Sequence, residues 1–232
     1  VKDATREFYP LSVLVSDFTP APFRVSTELN GDSFKAGDKL DITADAKLHS
    51  GGAYGEAALR STVTLRSRYF SSKDPAAQGF TFDSFKDEFE REDIFQKEDK
   101  LNDKGEWKTS LTLPEKNIAY GQLIVESAVR DERGKSIASE VRAYYAGVDR
   151  LVGLKPNDWV FESKKPAIVK ALVVDPKGVP VAGTQVHLVI EKEDVVTAKV
   201  KGAGNAYLND NTIEWKETAT CDLKSGKEGE DC

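Results

Sequence analysis

Short runs of alternating apolar and polar residues recur along the chain, whereas a sustained 3.6-residue period is almost absent. Period-two alternation is typical of half-buried strands that have one apolar face. The clearest runs are each about one strand long and lie at 40–46, 61–66, 107–113 and 122–129. Turn-forming residues such as Gly, Asn and Asp separate them at intervals of about 8 to 15 residues, so the pattern predicts an all-β protein of antiparallel β-sandwiches.

The chain also resembles itself. Residues 34–44 match residues 161–171 at an offset of 127 (161 − 34). At the same offset, further positions have residues of the same type, and the strand positions among them lie on the same face of their strands. They are the pairs Gly51 and Gly178, Leu59 and Val186, and Val63 and Ile190. Self-similarity at a fixed spacing predicts two tandem copies of one sandwich domain.

The repeat sets the expected domain boundaries at 18–147 for the first sandwich and 148–232 for the second. Residues 1–17 carry an alternating run before a Pro-rich hinge, and are either the last strand of a preceding domain or a lead-in to the first one. The half of the first copy that begins at Asp103 has no recognisable counterpart downstream. We therefore expect the second domain to be truncated by about three strands, with an open sheet edge. The lack of any Met, even at position 1, predicts a piece cut from a longer polypeptide.

Charge narrows the choice of partners. The sequence has 33 Lys and Arg against 39 Asp and Glu, a net charge of −6, and no basic block. Binding to nucleic acid or to an anionic membrane depends on clustered cations, so neither partner is expected. No run is long and apolar enough for direct membrane insertion, and no signal peptide is visible.

Candidate chemistry is sparse. Cys221 and Cys232 bound a short Gly-rich loop, and a disulfide there would stabilise the fold by about 3 kcal/mol in an oxidising compartment. The alternatives are free thiols or a metal site, which would need more ligands. His49 and His187 lie at corresponding parts of the two copies, and alternation places His187 on the solvent face. Because no nucleophile elbow accompanies them, we predict no catalytic residues, no metal and no cofactor.

An acidic and aromatic stretch at 80–95 has no counterpart in the second copy. Its aromatic residues are Phe80, Phe82, Phe85 and Phe89. The last three fit one helical face, whereas residues 80–82 also fit a strand. The stretch is therefore either an edge strand or short helix that covers the sandwich, or a contact with a neighbouring domain or partner.

Several motifs together are similar to one family. They are the segments 15–20 (VSDFTP), 34–40 (FKAGDKL), 51–55 (GGAYG) and 175–183 (DPKGVPVAG), and the loop between the two cysteines. With these motifs, nearly the whole chain resembles macroglobulin domains of bacterial alpha-2-macroglobulins. The resemblance implies a scaffold piece of a large periplasmic protease inhibitor, which is usually a lipoprotein. Its partners would be neighbouring domains of the parent chain and the proteases that the parent targets.

In that family a protease cuts a bait region, the body rearranges, and a thioester between Cys and Gln becomes exposed. This chain has no Cys-x-Glu-Gln, since Cys221 is followed by residues 222–224 (DLK), and no stretch has the character of a bait loop. An Ig-like stalk or adhesin repeat that binds a surface ligand is the alternative. Unequal insertions in the two copies favour the inhibitor, because stalks tend to repeat uniformly.

Overall fold

A computed structural model describes residues 21–82, 91–158, 160, 165–201 and 207–232. Strands dominate them, and the prediction of an all-β fold is confirmed. The strands are β1 (Phe23–Leu29), β2 (Ser33–Lys35), β3 (Lys39–Leu48), β4 (Ala58–Ser67), β5 (Arg91–Lys100), β6 (Glu106–Thr112), β7 (Tyr120–Arg130), β8 (Ser136–Ala146), β9 (Leu151–Pro156), β10 (Val169–Val174), β11 (Gln185–Lys201), β12 (Tyr207–Lys224) and β13 (Glu230–Asp231). In the described part of the chain, no helix has the length and apolar character of a membrane span.

The first sandwich packs a three-stranded sheet, in the order β1-β3-β6, on a five-stranded sheet, in the order β2-β8-β7-β4-β5. Only β2 and β8 run parallel among these pairs. Alternate residues of each strand point between the sheets, which explains the period-two pattern of the sequence. Ile42 of β3, Val63 of β4 and Val125 of β7 are among the side chains buried in this core.

The second unit repeats the first in register. Leu151 of β9 lies opposite Val174 of β10, and Arg24 of β1 lies opposite Lys47 of β3 at the same offset of 127. The turn that follows keeps its hydrogen bonds as well. The amide of Gly178 donates to the carbonyl of Asp175 at 2.9 Å, as the amide of Gly51 donates to that of Leu48 at 3.1 Å. Both glycines have a positive φ, which explains why both copies have Gly here.

The hairpins that follow also correspond. The β4–β5 register shifts between Val63 and Thr64, and the β11–β12 register shifts between Ile190 and Glu191, again 127 residues later. A β-bulge inserts one extra residue and bends its strand. A bulge at the same position in two strands is therefore stronger evidence that the strands correspond than a similar residue type is. The two hairpins are therefore equivalent parts of the two copies.

One sequence expectation is corrected by β13. This strand pairs antiparallel with β10, on the side of β10 where β6 would pair with β3, so the half of the first copy after Asp103 does have one counterpart. The sequence did not reveal it because β13 has two residues, both acidic and exposed, and therefore shows no alternation. No strand among the described residues of the second unit takes the place of β7 or β8.

A hydrogen bond joins β5 to β6 across the edge of the first sandwich. The indole Nε1 of the buried Trp107 donates to Oδ2 of Asp99 at 2.9 Å. That bond, with the Lys100 amide and the Lys97 ammonium, lowers the pKa of Asp99 to about 2 from 3.8. The folded state therefore favours the carboxylate.

Acid should remove the stabilising contribution of the Asp99 carboxylate at the edge formed by β5 and β6. Because the pKa of Asp99 is depressed on folding, its contribution is complete above the unfolded value and is lost as the pH falls from about 4 to about 2. We expect Asp99→Asn to lose less stability than the unmodified chain over this interval, as measured by denaturant unfolding at each pH. Asp103→Asn, in the neighbouring turn, is the control. Equal losses in all three proteins would contradict the assignment.

Candidate functional site

Residues 68–82, the described part of the connection from β4 to β5, leave the first sandwich and pack on the second unit; we call them the crossing segment. Thr81 and Leu154 of β9 exchange two backbone hydrogen bonds, both of 2.9 Å. The crossing segment thus extends the edge of the β9-β10-β13 sheet. A 3-10 helix at Pro75–Ala77 turns the segment, and Asp74 caps it by accepting from the Ala76 amide at 2.9 Å.

Aromatic rings fill the contact. Phe70 meets Phe82 edge-on at a centroid distance of 5.2 Å and Tyr120 of β7 at 4.9 Å. Edge-to-face pairs at such distances are favourable beyond the area that they bury. Burial, with the phenol of Tyr144 nearby, raises the pKa of Tyr120 above its ordinary 10.0, so its ring stays neutral here.

The second unit contributes the outward side chains of β9 and β10. Leu151, Leu172 and Val174 are buried against the aromatic rings of the crossing segment. Ala171 and Val173 point to the other face of β10 and are also fully buried. A strand that is buried on both faces has a continuous apolar sequence, and residues 171–174 have one.

Glycines let the two units approach closely. A Cβ on Gly153 of β9 would lie 2.6 Å from a carbon of the Phe82 ring, and one on Gly229 would lie 2.7 Å from the Phe80 ring. At Gly178, where φ is +87°, a Cβ would lie 2.6 Å from the hydroxyl oxygen of Ser72. That hydroxyl donates to the Gly178 carbonyl at 2.6 Å. The repeated turn of the second copy is therefore also a contact surface.

Gly153→Ala should displace the Phe82 ring and destabilise the contact by about 1 to 3 kcal/mol, the usual cost of overpacking. The measurement is denaturant unfolding in a double-mutant cycle with Phe82→Ala. In the Phe82→Ala background the alanine at 153 should cost much less, since the atoms that it meets are gone. If Gly153→Ala destabilises the Phe82→Ala variant as much as the unmodified chain, the strain does not come from the contact with the Phe82 ring.

A disulfide lies at the other side of the second unit. Cys221 of β12 is opposite Leu188 of β11, and Cys232 exchanges two 3.0 Å backbone hydrogen bonds with Val169 of β10. The two cysteines are paired, with Cα atoms 6.0 Å apart. Since β12 and β10 belong to different sheets, the bond joins the two sheets of the second unit.

The comparisons agree with this architecture. No family model matches the chain. It is 25% identical over 221 residues to an alpha-2-macroglobulin homolog from Nostoc sp., a match that covers 91% of the chain and 11% of that protein. Its structure matches the native conformation of E. coli alpha-2-macroglobulin with a TM-score of 0.61, at 18% identity, over 93% of the chain and 14% of that protein. The chain resembles the bacterial alpha-2-macroglobulins, in sequence and in fold.

A second solved structure supports the likeness to this alpha-2-macroglobulin family. Salmonella alpha-2-macroglobulin reacted with methylamine matches with a TM-score of 0.63, at 16% identity, over 94% of the chain and 15% of that protein. The family resemblance predicted from the sequence is thus confirmed. The chain spans only 11% to 15% of the lengths of these three relatives.

Two of the four aromatic residues predicted as an interface lie in the contact between the crossing segment and the second unit. Phe80 and Phe82 face the second unit, whereas Phe85 and Phe89 lie outside the described residues. Sequence reasoning missed Phe70 and Tyr120, which carry the centre of the cluster. A usable signal was present in Gly153, because a glycine inside a strand often marks the close approach of another chain segment.

The remaining polar candidates are on the surface. His187 is exposed, and its Nδ1 lies 2.8 Å from Oδ1 of Asp222 on the paired strand. His49 is exposed in the turn after β3. Within the described ranges, no group of three or more His, Cys, Asp or Glu is placed to hold a metal ion. The contact of the crossing segment with β9 and β10 can therefore hold the two sandwiches together.

Proposed function

We propose that the chain is a non-catalytic scaffold portion of a bacterial alpha-2-macroglobulin-like protease inhibitor, in which the parent traps endopeptidases by bait cleavage and a conformational change. The likeness to bacterial alpha-2-macroglobulins over nine tenths of the chain supports the family role. The observation that carries the scaffold role is the buried contact of the crossing segment with β9 and β10. Such a contact fixes the relative position of two sandwiches, which a rearranging multidomain body requires.

The same proposal sets the partners and the compartment. The partners are neighbouring domains of the parent and, for the parent as a whole, endopeptidases from the host or environment. The paired cysteines support export to an oxidising compartment, the periplasm or cell envelope, with a lipid anchor on the parent. A net charge of −6 without a basic block gives no support for nucleic acid as a partner.

The decisive experiment titrates the parent protein against a trypsin-like protease. Residual activity is measured on a small chromogenic peptide and on a bulky protein substrate. A trap encloses the protease without blocking its active site, so we expect cleavage of the bulky substrate alone to fall, and to fall in proportion to the amount of parent. A covalent high-mass band should accompany it if the parent has a thioester.

The matched control is the same protease with its nucleophilic serine replaced by alanine. It cannot cleave a bait and should therefore leave the parent unchanged in native electrophoresis. If both substrates are cut as fast as by untreated protease at every ratio, the inhibitor proposal is wrong. A stalk or adhesin repeat would then be the better interpretation.

A further inference from the structure

One row of side chains crosses the outer face of the five-stranded sheet in the first sandwich. Arg91 of β5 lies opposite Arg66 of β4. On the other side of β4, Gln122 of β7 lies opposite Arg66, and Tyr144 of β8 lies opposite Gln122. Their neighbours along β4, β7 and β8 are buried in the core, so these side chains point outward. We call them the arginine–tyrosine row, which spans about 14 Å at the usual strand spacing.

The two arginines of the row are like charges on facing positions, which destabilises a strand pair. Both are exposed, and neither Arg66 nor Arg91 has an ion-pair partner among the described residues. The outward acid of β5, Asp93, accepts instead from a threonine hydroxyl of β4 at 2.7 Å. Arg68 adds a third guanidinium, which donates to the amide oxygen of Gln122 at 3.2 Å. Three guanidiniums thus meet at this end of the face without a carboxylate partner in the described part of the chain.

Two other arginines of the same face show the contrast. Arg142 donates to Oε1 of Glu140 at 2.6 Å, and Arg60 lies 4.0 Å from Oε1 of Glu126. Charge is therefore balanced in the middle of the face and unbalanced at the row. In a chain with a net charge of −6, the row is a local excess of positive charge that attracts anionic groups.

The row also offers a surface for apolar contact. Tyr144 is 55% exposed, and its ring stacks on that of Tyr120 at a centroid distance of 6.0 Å. Ile124, the next outward residue of β7 after Gln122, is half-buried. Tyrosine and arginine are enriched among the residues that anchor protein interfaces. A free inorganic anion cannot use the tyrosine ring, whereas a polypeptide can use the ring and the arginines together.

We propose that the arginine–tyrosine row docks an acidic polypeptide segment. A carboxylate of the segment lies between the guanidiniums of Arg66 and Arg91 and accepts hydrogen bonds from both. A neighbouring apolar side chain of the segment lies on the ring of Tyr144 and on Ile124. A polypeptide fits better than a nucleic acid, because the acidic remainder of the chain repels a long polyanion. The inference rests on the strand register of the first sandwich and is independent of protease trapping.

Two synthetic peptides with blocked ends provide the probes. The acidic peptide GSELEVSG and its neutral counterpart GSQLQVSG are each titrated into the full 232-residue chain, labelled with nitrogen-15 and followed by NMR. We expect saturable shifts of the Nε–Hε signals of Arg66 and Arg91 and of the backbone amides of the row with the acidic peptide. The neutral peptide should bind at least about tenfold more weakly, since it lacks the charge-assisted hydrogen bonds.

Matched substitutions separate the row from the rest of the face. Arg66→Gln and Arg91→Gln should each weaken binding of the acidic peptide by at least about fivefold. Arg60→Gln, on the same strand and face, removes an arginine that already faces Glu126 and should change binding by less than about twofold. In the free chain, Arg66→Gln should leave the free energy of unfolding unchanged or raise it, because it removes a repulsion. Denaturant unfolding of each variant measures this and verifies that the variants fold.

Several results would overturn the proposal. They are equal binding of the neutral peptide, equal effects of Arg66→Gln and Arg60→Gln, and shifts confined to residues outside the row. Inorganic phosphate that binds as tightly as the acidic peptide would overturn it as well, because the row would then be a general anion site. Tighter binding of a single-stranded oligonucleotide than of the peptide would assign the face to nucleic acid instead.

Discussion

Replacing both Cys221 and Cys232 by serine is expected to lower the free energy of unfolding of the second sandwich by about 3 kcal/mol. The bond closes a loop with a sequence separation of 11 residues. Without it, the unfolded chain regains the entropy that the closed loop removes. The folded state would also lose its covalent tie between β12 and the short strand β13.

Regional hydrogen exchange is the appropriate measurement, because the loss should be confined to β10–β13. The reduced, unmodified chain should behave like the double serine variant. Thr218→Ser, on the exposed part of β12, is the control and should have little effect. A uniform loss of protection across both sandwiches would contradict a local role of the disulfide.

Phe70→Ala should be the other severe change, at about 3 to 5 kcal/mol, the usual cost of deleting a buried phenylalanine ring. Phe70 is 7% exposed and contacts both Phe82 and Tyr120. Its removal leaves a cavity between the crossing segment and β10. The two sandwiches should then unfold in separate steps, because the contact that couples them is lost.

Denaturant unfolding, combined with limited proteolysis of residues 68–82, tests this expectation. Tyr69→Ala is the matched control, since it deletes a ring of similar size from the adjacent, 62% exposed position. Faster cleavage of the crossing segment in Phe70→Ala than in Tyr69→Ala would support the coupling. Equal cleavage of the two variants would show that the sandwiches are held together elsewhere.

Sequence patterns predicted the strands that have one buried face. The runs at 40–46 and 61–66 lie inside β3 and β4, and the repeat located β10 with its following turn. These predictions succeeded because alternation and turn chemistry are local properties of the chain. Strand β13 escaped detection because it has two residues, both acidic and exposed, so its backbone pairing with β10 leaves no alternation in the sequence.

The candidate site was predictable only in part, for a related reason. A pattern shows that Phe80 and Phe82 are apolar residues in a charged stretch, and such residues favour a contact. It does not show what they contact. The partners Phe70 and Leu172 lie on elements whose proximity is set by the packing of two sandwiches, which alternation within one strand does not encode.

The covalent bond between Cys221 and Cys232 also decides how the second sandwich would respond to a mechanical pull. Tension applied at Cys232 would otherwise fall on β13, a strand of two residues, and peel it from β10. The disulfide instead passes that tension to β12 at Cys221, which lies opposite Leu188 of β11. The oxidised chain should therefore keep β13 paired with β10 under a pull that detaches it in the reduced chain.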